Sequence, residues 1–161
     1  MIQVVGIGPG RREGRTIAAD DALRRAEVIV GYTTYVELVR DEFAEKRFVT
    51  TGMRGEKERC VQALLLSREG RRVALICSGD AQVYGMASLL LGMAEEGDEI
   101  EVVPGVTAAL SAAAVLGSPL CGDFAVVSLS DQLAPWATIE GRLRAAAAGG
   151  APNSSASPSS G

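Results

Sequence analysis

Three short loops that contain glycine each follow an apolar run typical of a buried strand. They lie at residues 6–10, 78–82 and 104–107, and their most reactive side chains are the carboxylate of Asp80 and the hydroxyl of Thr107. Because glycine has no Cβ, a ligand can approach the backbone of such loops closely. The carboxyl ends of parallel strands meet at one edge of a sheet, where α/β proteins bind their ligands. We therefore expect the three loops to form one binding cleft.

The first loop lacks the spacing of a dinucleotide-binding loop. A Gly-x-Gly-x-x-Gly pattern that begins at Gly6 would need glycine at Arg11, and one that begins at Gly8 would need it at Glu13. Pro9 also lacks the amide hydrogen that a phosphate would bind. The sequence therefore disfavours an NAD-dependent reductase. The loop is either an open approach to another ligand or a tight turn between a strand and a helix.

The polar residues of the other two loops each allow two interpretations. Asp80 could cap the helix that follows it, or it could accept a hydrogen bond from a hydroxyl or amine of a ligand. Thr107 could be a plain helix cap, or its small neighbours could let a flat group such as an adenine ring rest against the backbone. Basic residues near the loops could pair with carboxylates of an acidic substrate. They are Arg11, Arg12, Arg15, Arg54, Lys57 and Arg59.

Composition excludes several classes of function. The 161 residues include no histidine, which excludes Ser-His-Asp and Cys-His catalysis, and no metal site is expected. A net charge of −4 without a basic block argues against binding to nucleic acid. Cys60, Cys77 and Cys121 form no Cys-x-x-Cys pair and are expected to be small core residues. With no secretory signal and no apolar stretch long enough to span a membrane, the sequence predicts a soluble cytoplasmic protein.

Patterns typical of strands and helices alternate along the chain. Strands are predicted at residues 2–6, 28–30, 47–49, 73–77, 99–103 and 124–129. Helices are predicted at 16–26, 55–69, 83–95, 106–116 and 135–148. In the second helix, Val61, Leu64 and Leu65 have the spacing of an apolar face. This alternation predicts an α/β fold, a parallel sheet flanked by helices. The composition then changes, which predicts a domain at 1–148 and a flexible low-complexity tail at 149–161.

In combination, the three loops resemble those of the S-adenosylmethionine-dependent tetrapyrrole methylases. The segments that carry the resemblance are VVGIGPG, SGDAQVYGMA and VVPGVTAALSAAAVLGSPL, in this order and spacing. Three more are similar to the branch of this family that methylates carbon 17 of a corrin precursor; they are VIVGYTTYVELV, TTGMRGEKERC and DFAVVSLSDQLAPWATIEGRLRAAA. The resemblance extends from Met1 to about Ala148. It implies the N-terminal domain of a two-domain fold.

The resemblance also implies a cofactor, S-adenosylmethionine, in a cleft between the two domains. Its implied contacts in this chain are Pro9, Gly79, Asp80, Ala81, Tyr84, Thr107 and Ala108. The expected contacts to an acidic tetrapyrrole substrate are Gly8, Gly10, Tyr32 and Arg54. Relatives that act on uroporphyrinogen carry an aspartate, proposed as a base, near the position of Tyr32, so no catalytic residue can be carried over. Gln82 stands where the family usually has glycine.

The implied activity is methylation of C17 of precorrin-3B or cobalt-precorrin-3, with ring contraction, in cobalamin biosynthesis. Members of the family usually form dimers, so a homodimer is also expected. They continue with a second α/β domain that supplies the other wall of the cofactor site, whereas this sequence continues into Ser, Pro, Gly and Ala residues. The alternative hypothesis is therefore a truncated, catalytically inactive domain of such an enzyme.

Overall fold

Five parallel strands form the centre of the structure, a computed structural model that describes residues 1–120, 122–131 and 134–149. The strands are β1 (Ile2–Gly6), β2 (Val28–Tyr32), β3 (Arg47–Thr51), β4 (Val73–Cys77) and β5 (Ile100–Val103). Their order across the sheet is β3-β2-β4-β1-β5. The predicted parallel sheet is therefore confirmed, and β4, β1 and β5, which precede the three glycine loops, are neighbours.

In the described part of the chain, six α-helices follow or separate these strands. They are α1 (Ile17–Arg25), α2 (Thr33–Glu37), α3 (Glu56–Arg68), α4 (Ala87–Met93), α5 (Ala108–Val115) and α6 (Trp136–Gly149). Short 3-10 helices lie at Arg12–Gly14 and Asp41–Phe43. The chain divides into two compact units, Met1–Val115 with the sheet and α1 to α5, and Leu116–Gly161 with α6.

Side chains on both faces of the central strands β1, β2 and β4 are buried, and successive side chains of a strand point alternately to the two faces. On one face, Val4 and Leu75 pack with residues of α3 and α4. On the other, Val5 and Ile76 pack with residues of α1 and α2. The connection from β1 to β2 and the connection from β4 to β5 leave in opposite directions along the sheet. Such a divergence marks the place where α/β sheets open a crevice for ligands.

Two helices differ from their predicted form. The predicted apolar face of the helix that is now α3 is partly wrong, because Val61 and Leu65 are exposed and only Leu64 is buried. The buried face instead runs through Arg59, Cys60, Ala63 and Leu66, so a charged residue occupies a core position. The helix expected from about residue 83 begins only at Ala87. Tyr84 has a φ of 53°, which no helix accommodates, so the chain must turn before α4 can start.

The last predicted strand is also wrong. Residues 124–129 have apolar residues suited to a strand, but no strand forms there. Phe124 and Leu129 are exposed, and the backbone N–H of Ser130 bonds locally to the hydroxyl of Ser128. Strand propensity counts only where a neighbouring strand provides pairing and burial. The predictions for Cys121, for the Gln-Leu pair of the SLSDQLAPW segment and for the tail beyond 149 lie outside the described residues.

Two simpler expectations concern the cysteines and membranes. Cys60 and Cys77 are buried and free, as predicted for small core residues. Burial raises the pKa of the Cys60 thiol to about 11, and burial also raises that of Cys77, so both thiols are protonated near neutral pH. Within the described ranges, no helix combines the length and the apolar character that crossing a membrane requires.

An ion pair fastens the end of α3 to the turn before β5. The carboxylate of Asp98 accepts hydrogen bonds from Arg68 Nε at 3.0 Å and Nη2 at 2.8 Å, and from the backbone N–H of Glu95 at 2.9 Å. Chiefly through the Arg68 bonds, the pKa of Asp98 falls from 3.8 to about 2. The stability that this pairing adds is therefore complete above 3.8 and is lost as the pH falls through about 2.

Replacing Asp98 by asparagine should therefore destabilise the protein in a pH-dependent way. We expect Asp98→Asn to lower the urea midpoint at neutral pH, because the ion pair to Arg68 is gone. The effect should shrink as the solution approaches pH 2, where the native carboxyl begins to take up its proton. Urea titrations of both proteins at several pH values measure this. A difference that stays constant down to pH 2 would contradict the assignment.

Candidate ligand site at the carboxyl edge of the sheet

The first two glycine loops are joined to each other by their backbones. The N–H of Gly8 donates to the carbonyl of Gly79 at 3.0 Å, and the N–H of Gly79 donates to the carbonyl of Gly8 at 2.8 Å. A Cβ on Gly6 would lie 2.6 Å from the carbonyl oxygen of Gly79 and 2.9 Å from the backbone nitrogen of Gly105 in the third loop. Because real Cβ atoms do not approach so closely, glycine is required where the loops meet.

Asp80, a buried residue that is 7% exposed, links the second loop to the third through its carboxylate. Its Oδ1 accepts from the backbone N–H groups of Gln82 at 2.8 Å and Val83 at 3.2 Å. Its Oδ2 accepts from the backbone N–H of Gly105 at 2.9 Å. Asp80 is therefore not a cap of α4, which begins at Ala87. The carboxylate holds its own turn and fixes the position of the neighbouring loop.

The predicted cofactor contacts differ in what they expose at this edge. Pro9, Tyr84 and Ala108 are exposed, and Thr107 is half-buried. The remaining three are buried; they are Gly79, Asp80 and Ala81. A Cβ on Gly79 would lie 3.6 Å from Thr107 Cα and 3.5 Å from the Ala108 nitrogen. The structure therefore brings the second loop against the start of α5, and small residues keep the backbone there open.

A cavity of about 260 Å³ lies beside these loops, at the carboxyl ends of β2, β3 and β4. Its wall includes the rings of Tyr32 and Tyr84 together with Met53 and Met86. Tyr32 also contacts Tyr35 edge to face, with ring centroids 5.2 Å apart. The predicted substrate contact Tyr32 and the predicted cofactor contact Tyr84 therefore line the same space.

The basic residues near the loops fall into different environments. The side chain of Arg15 is 3% exposed and forms ion pairs with Asp20 at 2.9 Å and Glu42 at 3.0 Å. Its position is internal, so it braces α1 and cannot serve a ligand in this arrangement. Arg54 is exposed, has a φ of 64°, and is not among the residues that line the cavity. Its contact with a substrate stays a prediction.

Arg59 is the basic residue that lines the cavity. It is buried on α3 and donates from Nη1 to the hydroxyl of Thr51 at 2.7 Å and from Nη2 to Glu56 Oε1 at 3.1 Å. The sequence indicates it as one of six basic residues that could pair with an acidic substrate, but does not predict that it is buried. The available signal was its spacing with Ala63 and Leu66, which puts an arginine on the apolar face of a helix.

Comparison with known proteins identifies the family of this chain. Residues 1–153 match the family described as Tetrapyrrole (Corrin/Porphyrin) Methylases. The chain belongs to the tetrapyrrole methylase family. A probable cobalt-factor III C(17)-methyltransferase of Salmonella typhimurium is 47% identical over 91% of this chain and 62% of that relative. A cobalt-factor III methyltransferase of Priestia megaterium is 42% identical over 89% of this chain and 28% of that relative.

Solved structures of tetrapyrrole methylases show the same fold. The crystal structure of the methyltransferase CobJ matches with a TM-score of 0.85 and 42% identity, over 92% of this chain and 64% of that one. A uroporphyrin-III C-methyl transferase from Thermus thermophilus, complexed with S-adenyl homocysteine, matches with a TM-score of 0.55 and 29% identity, over 69% of this chain and 47% of that one. The chain thus spans less than two thirds of the length of these relatives.

Proposed function

We propose that this chain carries the N-terminal part of the active site of an S-adenosylmethionine-dependent methyltransferase of corrin biosynthesis. The proposed reaction is methylation of C17 of precorrin-3B or cobalt-precorrin-3, with ring contraction. The observation that supports it is that three loops are hydrogen-bonded to one another at one edge of the sheet. The backbones of Gly8 and Gly79 bond to each other, and the backbone N–H of Gly105 donates to the carboxylate of Asp80. The relatives named as C17-methyltransferases support the position that is methylated.

The residues at this edge fit the cofactor. Small residues leave the backbone of the second loop and of the start of α5 open to a flat group, with Pro9, Tyr84 and Ala108 exposed around them. We propose that these three, with Thr107, touch S-adenosylmethionine, while Gly79, Asp80 and Ala81 shape the backbone behind it. When bound, the cofactor supplies an electrophilic methyl group on a sulfonium.

The protein's own contribution is alignment and exclusion of water. Methyl transfer to an electron-rich ring carbon needs donor and acceptor in line, and such positioning is worth about 7–11 kcal/mol. A carboxylate beside the sulfonium would stabilise the ground state, because the charge disappears as the methyl leaves. Both oxygens of Asp80 are occupied by backbone N–H groups. Its charge therefore serves to position the loops.

We also propose an acidic tetrapyrrole as the substrate, a homodimer as the assembly and the cytoplasm as the location. Tyr32 from the end of β2, with Gly8, Gly10 and Arg54, would border the macrocycle. The acidic character of the chain, with a net charge of −4, disfavours a nucleic-acid substrate.

Titration with S-adenosylhomocysteine tests the cofactor proposal. We expect the purified chain to bind it with micromolar affinity in a calorimeter. Ala108→Phe should weaken binding roughly tenfold or more, because the added ring would occupy the space beside the exposed backbone at the start of α5. Ala114→Phe is the matched control, because Ala114 is also exposed on α5 but lies at its other end.

The results separate the hypotheses. The proposed site is contradicted if the folded chain does not bind S-adenosylhomocysteine. It is also contradicted if Ala108→Phe and Ala114→Phe bind it equally well. Binding without methyl transfer to a corrin precursor supports the alternative, a domain that holds the cofactor but is catalytically inactive.

A further inference from the structure

The cavity beside the three loops combines aromatic walls with one buried positive charge. Tyr32, Tyr84 and Met86 line it, and the charged residues in its wall are Arg59 and Glu56. A cavity lined mainly by aromatic and apolar groups with a few fixed polar groups is the usual form of a site for a small organic ligand. Its volume, about 260 Å³, suits a substituent of a large molecule better than the whole of a macrocycle.

The charge of Arg59 is incompletely balanced. Its side chain is only 6% exposed, and its one ion-pair partner in the described part of the chain is Glu56, whose side chain is 51% exposed. The other bonds of Arg59 go to neutral oxygens, the hydroxyl of Thr51 and the carbonyl of Gly52. A buried cation is stabilised by close opposite charge, and a half-solvated carboxylate supplies this weakly. An anionic group in the cavity would complete the pairing.

The position of the guanidinium is fixed before any ligand arrives. The bonds from Nη1 to Thr51 and Gly52 tie it to the end of β3, at 2.7 and 3.2 Å. The centre of the guanidinium lies 5.8 Å from the centroid of the Tyr32 ring, within range of a cation–π contact. An arginine held in this way loses little rotational freedom when it binds a carboxylate. Its planar guanidinium matches the two oxygens of a carboxylate.

We propose that Arg59 binds a peripheral carboxylate arm of the substrate in this cavity, with the rings of Tyr32 and Tyr84 packed along the arm and Glu56 competing for the guanidinium. This inference rests on the proposed function, from which the acidic tetrapyrrole is taken, and it assigns the cavity to one of its side arms. Arg59 would then select for an acidic substituent at one position of the macrocycle.

The competing explanation is that Arg59 only ties α3 to the end of β3. The two roles differ in what happens when Glu56 loses its charge. A binding role predicts that Glu56→Gln strengthens the binding of an acidic tetrapyrrole, because the arginine then has no competing carboxylate. A purely structural role predicts no change beyond that of any other lost negative charge.

The experiment uses uroporphyrin III as the probe, with binding followed by quenching of its fluorescence. We expect Glu56→Gln to bind it roughly two- to fivefold more tightly than Glu58→Gln, the range expected for a half-exposed ion pair. Glu58 is the matched control because it is exposed on the same helix, is not among the cavity-lining residues and undergoes the same change of charge. Equal affinities of the two variants would overturn the inference, as would failure of the folded wild-type chain to bind the probe.

Two further measurements keep the result interpretable. Arg59→Met should weaken binding of uroporphyrin roughly tenfold or more, and Arg59→Lys should restore part of it. If the methionine variant does not fold, the comparison of Glu56→Gln with Glu58→Gln still decides. Titration of the same variants with S-adenosylhomocysteine tests the proposed function separately from the role of Arg59. If cofactor binding is normal but Glu56→Gln and Glu58→Gln bind uroporphyrin equally well, the role of Arg59 is overturned and the proposed function stands.

Discussion

Replacing Gly105 by alanine is expected to lower the free energy of unfolding by about 3 kcal/mol, because the new methyl group has no space. A Cβ at this position would overlap the carbonyl oxygens of Gly79 and Gly6. Both belong to backbone segments held by the sheet and by the Gly8–Gly79 pair, so neither can move aside as a flexible side chain would. The loop that carries Gly105 must therefore separate from the other two, and the proposed cofactor site should open with it.

Urea unfolding followed by circular dichroism measures this effect. Gly92→Ala is the matched control, since a Cβ on Gly92, in the last turn of α4, meets nothing within 4 Å. That substitution should stabilise the protein by about 0.5–1 kcal/mol, because alanine favours a helix over glycine. The two variants should therefore shift the urea midpoint in opposite directions. A Gly105→Ala protein as stable as the wild type would contradict the close packing of the three loops.

The sequence predicts the strands of the sheet well because the signals for a strand lie within a few neighbouring residues. Short β-branched runs followed by glycine loops and amphipathic stretches indicate an α/β fold, and β1 and β4 have the predicted bounds. The shared edge of the three loops followed from the carboxyl-end rule and is confirmed. The order β3-β2-β4-β1-β5 could not be read in the same way, since it depends on which strands meet across long separations in the chain.

The errors have physical causes at particular residues. The start of α4 is delayed because the carboxylate of Asp80 binds the backbone at Gln82 and Val83 in a turn that competes with a helix. The strand at residues 124–129 fails because propensity needs a partner. The burial of Arg59 is not expected from the sequence because arginine is rarely buried, and its contacts with Thr51 and Glu56 in the folded chain account for it.

The second large effect is expected at Asp80. Asp80→Asn should lower the free energy of unfolding by about 2 kcal/mol, although the side chain keeps its size. Two carboxylate oxygens accept from three backbone N–H groups, those of Gln82, Val83 and Gly105. An asparagine has one carbonyl oxygen, so its amide group must face an N–H donor on one side. At least one partly buried donor then loses its acceptor, and the bond between the second and third loops is the one whose loss would matter most for the site.

Hydrogen exchange identifies which bond is lost. We expect the amide of Gly105 to exchange faster in Asp80→Asn when the new amide group faces it, and S-adenosylhomocysteine to bind more weakly, since the third loop is then no longer fixed. Asp21→Asn is the matched control, because Asp21 is exposed on α1 and undergoes the same change of charge. If instead Asp80→Asn is as stable as Asp21→Asn but cannot bind S-adenosylhomocysteine, the carboxylate contacts the cofactor directly. Its three backbone bonds would then be secondary to that role.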